Sequence, residues 1–370
     1  MKPRLPHIAL TLAVAAMALL LSACDVHEVP SAPATSHNVV RLTFSTMLAE
    51  NNVSLIPGRD DAGGPRLMRL LVYAYPRLAD GTVVRHPAYQ ASVTREVSPG
   101  DYDCTLELDL PKGDHTIAVW ADFVAERNRS LYYDPYNFEE ITLCEPHVGN
   151  TDMRDAFRGM EDCTVVARAV VAPPDTIDVA MERPLAKFEF ITTDLREFID
   201  EEESRNEARA DGDARGDGEP KDSEPKDSEP KDGDTKDSGV KSIDLTRYNI
   251  RFYYAGFMPC VYNMFTDKPI DSRTGVSFDS KITPTESGEA SLGFDYVMVN
   301  GVESFVSVIV AVYDTEGRLM VTSEAVKVPT KRNWHTIVRG KFLTQTANSG
   351  VGIDPGFDGE WNIEIKHKRL

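Results

Sequence analysis

The chain has 370 residues and a formal charge of −19, set by 40 basic and 59 acidic side chains. Its apolar share of 41% can fill a core, and the length suits two domains better than one small sandwich. No basic patch stands out, which excludes nucleic acid and anionic lipid headgroups as electrostatic partners.

Lys2 and Arg4 precede an apolar run from Ile8 to Leu21. That run is shorter than the roughly 20 residues a membrane span needs, and it ends in Leu21-Ser22-Ala23-Cys24. Residues 1–23 therefore read as a secretory signal. The Leu-Ser-Ala-Cys ending resembles the bacterial lipobox, which implies lipidation of the Cys24 thiol and a tether over residues 24–37. Removing Lys2 and Arg4 leaves 38 basic against 59 acidic side chains, a charge of −21. The alternative is a plain secretory cleavage beside an incidental cysteine.

Beyond the tether, alternation dominates the chain. "VVRLTFS" sets Val40, Leu42 and Phe44 on one face; "YDCTLELDL" does the same with Tyr102, Cys104, Leu106, Leu108 and Leu110. "NTDMRDAFRGM" predicts one short helix, with Thr151 as N-cap and Gly159 closing it. "TIDVAM" and "RPLAKFEFITTDL" alternate again, "RYNIRFYYAGF" resumes with Ile250, Phe252 and Tyr254, and "FVSVIVAVY" is apolar on nearly both faces, as in a central strand. "NIEIKHK" closes the chain with Ile363 and Ile365 inward. The fold class is all-β: two tandem antiparallel β-sandwiches, residues 38–182 and 183–370, with at most a short helix in the first.

Between these strands, three copies of Glu-Pro-Lys-Asp start at Glu219, Glu224 and Glu229. From Glu201 to Gly239 no apolar residue exceeds alanine, so residues 200–240 read as a disordered acidic insert between two strands of the second sandwich. Arg215-Gly216-Asp217 and the calcium-loop echo "DGDARGDG" fall inside it; a solvated loop expansion accounts for both.

Chemistry-bearing constellations are missing. There is no Gly-x-Ser-x-Gly elbow, His-Glu-x-x-His, P-loop or dinucleotide fingerprint, so no enzymatic activity and no cofactor are expected. Cys104, Cys144, Cys163 and Cys260 match no zinc spacing; Cys144 with Cys163 is the disulfide to test first, against the alternative of unpaired core thiols. His147 with Asp152 and Asp155 comes nearest to a metal cluster but lacks a supporting partner, and no metal is expected.

Several longer words carry a family resemblance: "YYDPYNFEEITL" followed by "GNTDMRDAFRG", "RPLAKFEFITTDL", "MPCVYNMFTDKPIDSRTGVSF", and "VPTKRNWHTIVRGKFLT" with "IDPGFDGEWNIEI". In these the chain resembles the fimbrillin-type lipoproteins of Bacteroidota, the Mfa-like and Fim-like fimbrial subunits. The resemblance implies transthyretin-like sandwiches, a lipid anchor in the outer membrane, and other fimbrial subunits as partners through donor-strand exchange. In polymerising members an arginine-specific protease removes the first strand and a neighbour's strand replaces it, a form of β-augmentation. Here the removable strand would span Val39 to Met47, and the candidate cleavage sites are Arg59, Arg66 and Arg69. The last strand, Trp361 to Lys368, either donates to a neighbour or closes its own sheet. A second reading is a stand-alone surface lipoprotein that stacks a glycan, or binds a host protein, on aromatics such as Tyr253 and Tyr262.

Overall fold

The computed structural model describes residues 35–44, 66–98, 100–125, 130–166, 173–213, 243–285, 288–301, 303–344, 351–353 and 360–365. Among them the chain is all-β. The first sandwich opens with β1 (Thr35–Phe44), β2 (Arg66–Pro76), β3 (Tyr89–Val97), β4 (Cys104–Pro111) and β5 (Gly113–Val124). Next come β6 (Tyr133–Asp134), β7 (Ile141–Leu143), β8 (Ala156–Val165) and β9 (Asp175–Met181). One sheet runs β4-β1-β9 and the facing one β3-β2-β5-β8. Val40, Leu42 and Phe44 meet Leu70, Val72, Val119 and Phe123 between them.

The expected alternation holds on β1, β4 and β9, each with one solvated face. It does not hold on Leu185–Thr192, expected to alternate but buried along its whole length; β2 and β5 are likewise buried almost throughout. Their second face carries Leu71, Tyr73, Tyr75 and Trp120 into a larger core shared with the rest of the molecule. That face is covered by an antiparallel sheet drawn from both halves of the chain, β13-β12-β7-β6, in which β7 pairs with β12 (Met258–Asn263), and β13 (Lys268–Arg273) forms the outer edge.

The second sandwich is built around β10 (Leu185–Thr192), flanked by β16 (Ala290–Met298) and β20 (His335–Gly340). It faces β11 (Asn249–Tyr254), β14 (Ser277–Ser280), β17 (Glu303–Tyr313) and β19 (Val326–Lys331). β17 is central, as expected, pairing with β11, β18 (Leu319–Thr322) and β19. β15 (Thr283–Pro284) extends one edge of the first of these sheets. On the other, β22 (Glu360–Ile365) lies parallel to β20 and antiparallel to β21 (Val351–Ile353), so the last strand closes its own sheet here.

The two sandwiches repeat one plan. β1 has an antiparallel neighbour, β4, and a parallel one, β9; β10 has β16 antiparallel and β20 parallel.

Helix content departs from expectation in two places. Thr151 does cap a turn, accepting from Met153 N at 3.2 Å, but the turn is a single 3-10 step over Asp152–Arg154. The chain then enters β8, because Ala156–Gly159 pair with β5 and Arg154 and Asp155 are held by ion pairs. An α-helix, α1 (Leu195–Asp213), stands where the acidic insert was expected to begin. Leu195 and Phe198 are buried, and Glu202, itself buried, accepts from the Tyr248 hydroxyl at 2.7 Å. Residues 214–242, with the Glu-Pro-Lys-Asp copies and Arg215-Gly216-Asp217, lie outside the described residues.

Gly159 marks where β8 meets β9. A Cβ there would sit 2.6 Å from the Ala180 carbonyl oxygen and 2.7 Å from both Met181 Sδ and Val179 Cγ1. Gly159→Ala is expected to destabilise by about 1–3 kcal/mol through overpacking. Urea unfolding measures it; an unchanged midpoint would show that the sheets separate freely at this corner.

Candidate functional site

The strand position occupied by β1 is the candidate site. β1 is the middle strand of its sheet, in register with β4 from Thr35↔Pro111 to Leu42↔Cys104 and with β9 from Asn38↔Asp175 to Phe44↔Met181. Both backbone edges are therefore used. Thr35–His37, expected in the tether, already pair with β4, while residues 45–47 lie outside the described residues. Inward, Val40 and Leu42 are fully buried and Phe44 nearly so. Phe44 ends the strand in an aromatic socket, edge-on to Tyr102 at 5.9 Å and to Phe157 at 5.1 Å, with its backbone N–H on Asp103 Oδ1 at 2.7 Å. Outward, Arg41 pairs with Asp178 at 3.1 Å on the surface, a contact worth little. Burial of the three inward side chains favours the seated strand by about 5–9 kcal/mol, an upper estimate. A vacated position would leave an apolar groove between two strand edges.

The candidate arginines are separated by the fold. Arg59 lies outside the described residues, and Arg66 begins β2, half-buried, with its guanidinium 5.6 Å from the Phe123 ring centre. Arg69 is fully enclosed, so it is removed from the accessible cleavage sites. It stands opposite Asp122 on β5 and holds it with Nε on Oδ1 at 2.9 Å and Nη2 on Oδ2 at 2.5 Å. Ser130 Oγ, the Tyr136 hydroxyl and the Tyr133 carbonyl accept its remaining protons. Burial works against the Arg69 charge, but the hydrogen bonds and field of Asp122 outweigh it and raise the pKa, so the guanidinium stays charged; for Asp122 burial wins and pushes the carboxyl up to about 6.

Cys24 lies outside the described residues. Cys144 and Cys163 do not form the expected disulfide; all four described cysteines are free thiols. Cys163 stands opposite His115, whereas Cys144 follows β7, near the Arg69–Asp122 pair. Asp122 faces Ala156, at the other end of β8 from Cys163, a separation of about 23 Å at strand rise. Burial pushes the Cys163 thiol up to about 11, so it stays protonated. Tyr262, expected as an exposed aromatic, is a core residue; Tyr253 is half-buried, its hydroxyl 2.9 Å from that of Tyr313.

At the junction of the two sandwiches Asp152 and Asp155 each have a cationic partner, His147 faces a different carboxylate, and the three do not form a metal-binding group among the described residues. Asp155 takes Arg183 Nε at 2.9 Å; Asp152 takes Lys187 Nζ and the Tyr296 hydroxyl, both at 2.8 Å. His147 Nε2 lies 2.8 Å from Asp295 Oδ2, and Arg154 Nε 3.3 Å from Asp295 Oδ1. Asp267 joins Arg158 and Arg332, each at 2.6 Å. Sequence reasoning missed Arg154, Arg183, Lys187 and Asp295. The available signal was their type: charged side chains at otherwise apolar strand positions, as in "RPLAKFEF" and "LGFDYVMV".

Residues 34–367 match the family of unknown function DUF6562. The chain belongs to that family. None of the curated proteins matches it. Among solved structures, a fimbrial assembly protein from Parabacteroides distasonis is similar at 11% identity and a TM-score of 0.35, over 86% of this chain and 94% of that one. The fimbrial anchor protein Mfa2 of Porphyromonas gingivalis is similar at 13% identity and a TM-score of 0.32, over 78% and 82%. A Bacteroides ovatus protein named for a provisional role in cell adhesion reaches 0.38 at 9% identity, over 82% and 92%. Among the described residues no helix is long and apolar enough to cross a membrane.

Two substitutions separate the roles of these residues. Phe44→Ala empties the aromatic socket and is expected to cost about 3–5 kcal/mol. Asp122→Asn leaves Arg69 buried with its charge unmatched, at a similar cost of about 3–5 kcal/mol, whereas Arg69→Met with Asp122→Leu recovers most of it. Denaturant midpoints of the three variants check both. A single Asp122→Asn no worse than the double variant would mean that water reaches the pair.

Proposed function

We propose that the chain is a cell-surface lipoprotein of fimbriae, a structural, accessory or anchor subunit that engages other subunits by exchange of the β1 strand. In this reading the chain comprises two units, residues 38–182 and 183–370, held on the outer membrane by a lipid on Cys24. The observation that carries it is the seating of β1. A first strand used on both backbone edges, with three large apolar residues inward, leaves a vacancy that only another strand of like pattern can satisfy. The resemblance in sequence to fimbrillin-type lipoproteins supports the same reading. Cleavage after Arg59 or Arg66 would sever β1 from β2. An uncleaved chain would serve as an anchor. The acidic segment after α1 suits an accessory position better than a closely stacked shaft, because it needs room.

A second reading, a stand-alone lipoprotein that binds a glycan or a host protein, draws support from Phe257 and Phe305, which are 74% and 54% exposed.

Treatment of the purified chain with an arginine-specific protease tests the first reading. Expected is a cut before β2, followed by growth of high-mass species by light scattering. A synthetic peptide of residues 35–44 should suppress that growth, and the same peptide with Leu42→Asp and Phe44→Asp should not. A cut chain that stays monomeric with an open groove would refute exchange at β1.

A further inference from the structure

We propose that the ion pairs around His147 form an acid-released latch between the two sandwiches, closed at neutral pH and loosened when the imidazole takes up a proton. Main-chain pairing across this junction is short. β7 and β12 share only Thr142↔Val261 and Ile141↔Tyr262, to which Met264 N adds a bond to the Phe138 carbonyl at 2.9 Å and Asn150 N one to the Phe294 carbonyl at 2.8 Å. Side chains must supply the rest. Asp295, on β16 of the second sandwich, is fully buried and receives groups from both sides: His147 Nε2 at 2.8 Å, Arg154 Nε at 3.3 Å and the Tyr254 hydroxyl at 2.6 Å. Arg154 also donates to the Tyr296 carbonyl at 3.0 Å and to the Val148 carbonyl at 3.1 Å, tying the crossing segment to β16.

Charge is balanced in this arrangement only while His147 is neutral. Asp295 supplies one negative charge and Arg154 one positive charge, and both side chains are at most 2% exposed. Nη1 of Arg154 lies 2.9 and 2.8 Å from the two ring nitrogens of His147, so a proton on the ring would face a guanidinium at contact distance. Around the ring, Tyr254 on β11 stands edge-on at 6.0 Å and Phe278 on β14 tilts at 6.0 Å, while Arg273 on β13, itself paired with Glu145, adds a positive field. A protonated His147 would thus be a surplus cation in a dry site.

Burial first, then Arg154 and Arg273, outweigh Asp295 and hold the His147 pKa below its ordinary 6.5. Once the junction opens, the ring returns to water and to that ordinary value. The closed state is favoured in full above pH 6.5, and the preference is lost as the pH falls below it. Asp152, Asp267 and Asp295 keep their charge to below 3.8, so their contributions are lost only in stronger acid. Burial raises Asp155, which acts in the opposite sense, closer to the carboxylate range. Between pH 6.5 and 5, His147 disfavours the closed state; Asp122, which burial raises to about 6, takes up a proton in the same window and acts in the opposite sense, favouring the folded state as the pH falls.

Hydrogen exchange of the full chain at pH 7.5 and 5.5, corrected for intrinsic rates, tests the latch. Peptides covering 141–143 and 258–263 are expected to lose protection below pH 6.5, by at most about tenfold per pH unit, while a peptide covering 117–121 in β5 keeps its protection. In His147→Asn, or His147→Gln if the first variant does not fold, the junction peptides should show the same protection at both pH values. Wild-type protection that does not change with pH would overturn the proposal, with or without a folded variant. So would a variant that loses protection as the wild type does.

Discussion

The sheet β3-β2-β5-β8 must be covered on both faces, and most of the architecture answers that requirement. β2 and β5 present Leu70, Val72, Val119 and Phe123 to one side and Leu71, Tyr73 and Trp120 to the other. The charged side chains within the fully buried stretch of the two strands, Arg69 and Asp122, neutralise each other across them. One cover is the β4-β1-β9 sheet, which depends on β1 for its middle. The other is the antiparallel sheet of β6, β7, β12 and β13, which depends on the junction with the second sandwich. Loss of β1 and release of the junction therefore expose opposite faces of the same two strands.

Much of this was legible because half-buried strands write their orientation into the sequence. On β1, β4 and β9, period-2 alternation identified the inward residues correctly. Strands buried on both faces carry no such phase, so a sequence cannot say which side of β2 meets which sheet. α1 was missed for a related reason. Its apolar contacts, Leu195 and Phe198, lie in the first turn, and beyond them a buried Glu202 replaces the expected hydrophobe by bonding to Tyr248. Composition alone reads such a stretch as solvated. The thiol pairing was beyond reach as well, because a spacing of 19 residues does not say that Cys163 lies near one end of β8 while Cys144, after β7, sits by the other.

The words that carried the family resemblance fall largely on the junction. "GNTDMRDAFRG" supplies Asn150, Asp152, Arg154 and Asp155; "RPLAKFEF" supplies Arg183 and Lys187; "MPCVYNMFTDKPIDSR" supplies β12 with Asp267; "KRNWHTI" supplies Arg332 and Asn333. Polar residues at a buried interface need particular partners in particular geometry, which restricts the sequence more than an apolar core does. Part of what looks like a functional vocabulary is thus the grammar of joining two sandwiches. The β1 position, by contrast, is written in ordinary alternating residues and becomes visible as a site only in three dimensions.

Everything proposed about assembly turns on the fate of the first strand in the cell. The most direct measurement is the N-terminal sequence and intact mass of the protein extracted from its native envelope. A shaft or accessory subunit that exchanges strands should begin after Arg59 or Arg66, without β1. An anchor subunit should retain the whole chain with lipid on Cys24 and co-purify with other fimbrial subunits. A full-length, lipid-free chain isolated alone would contradict both the anchor and the exchange.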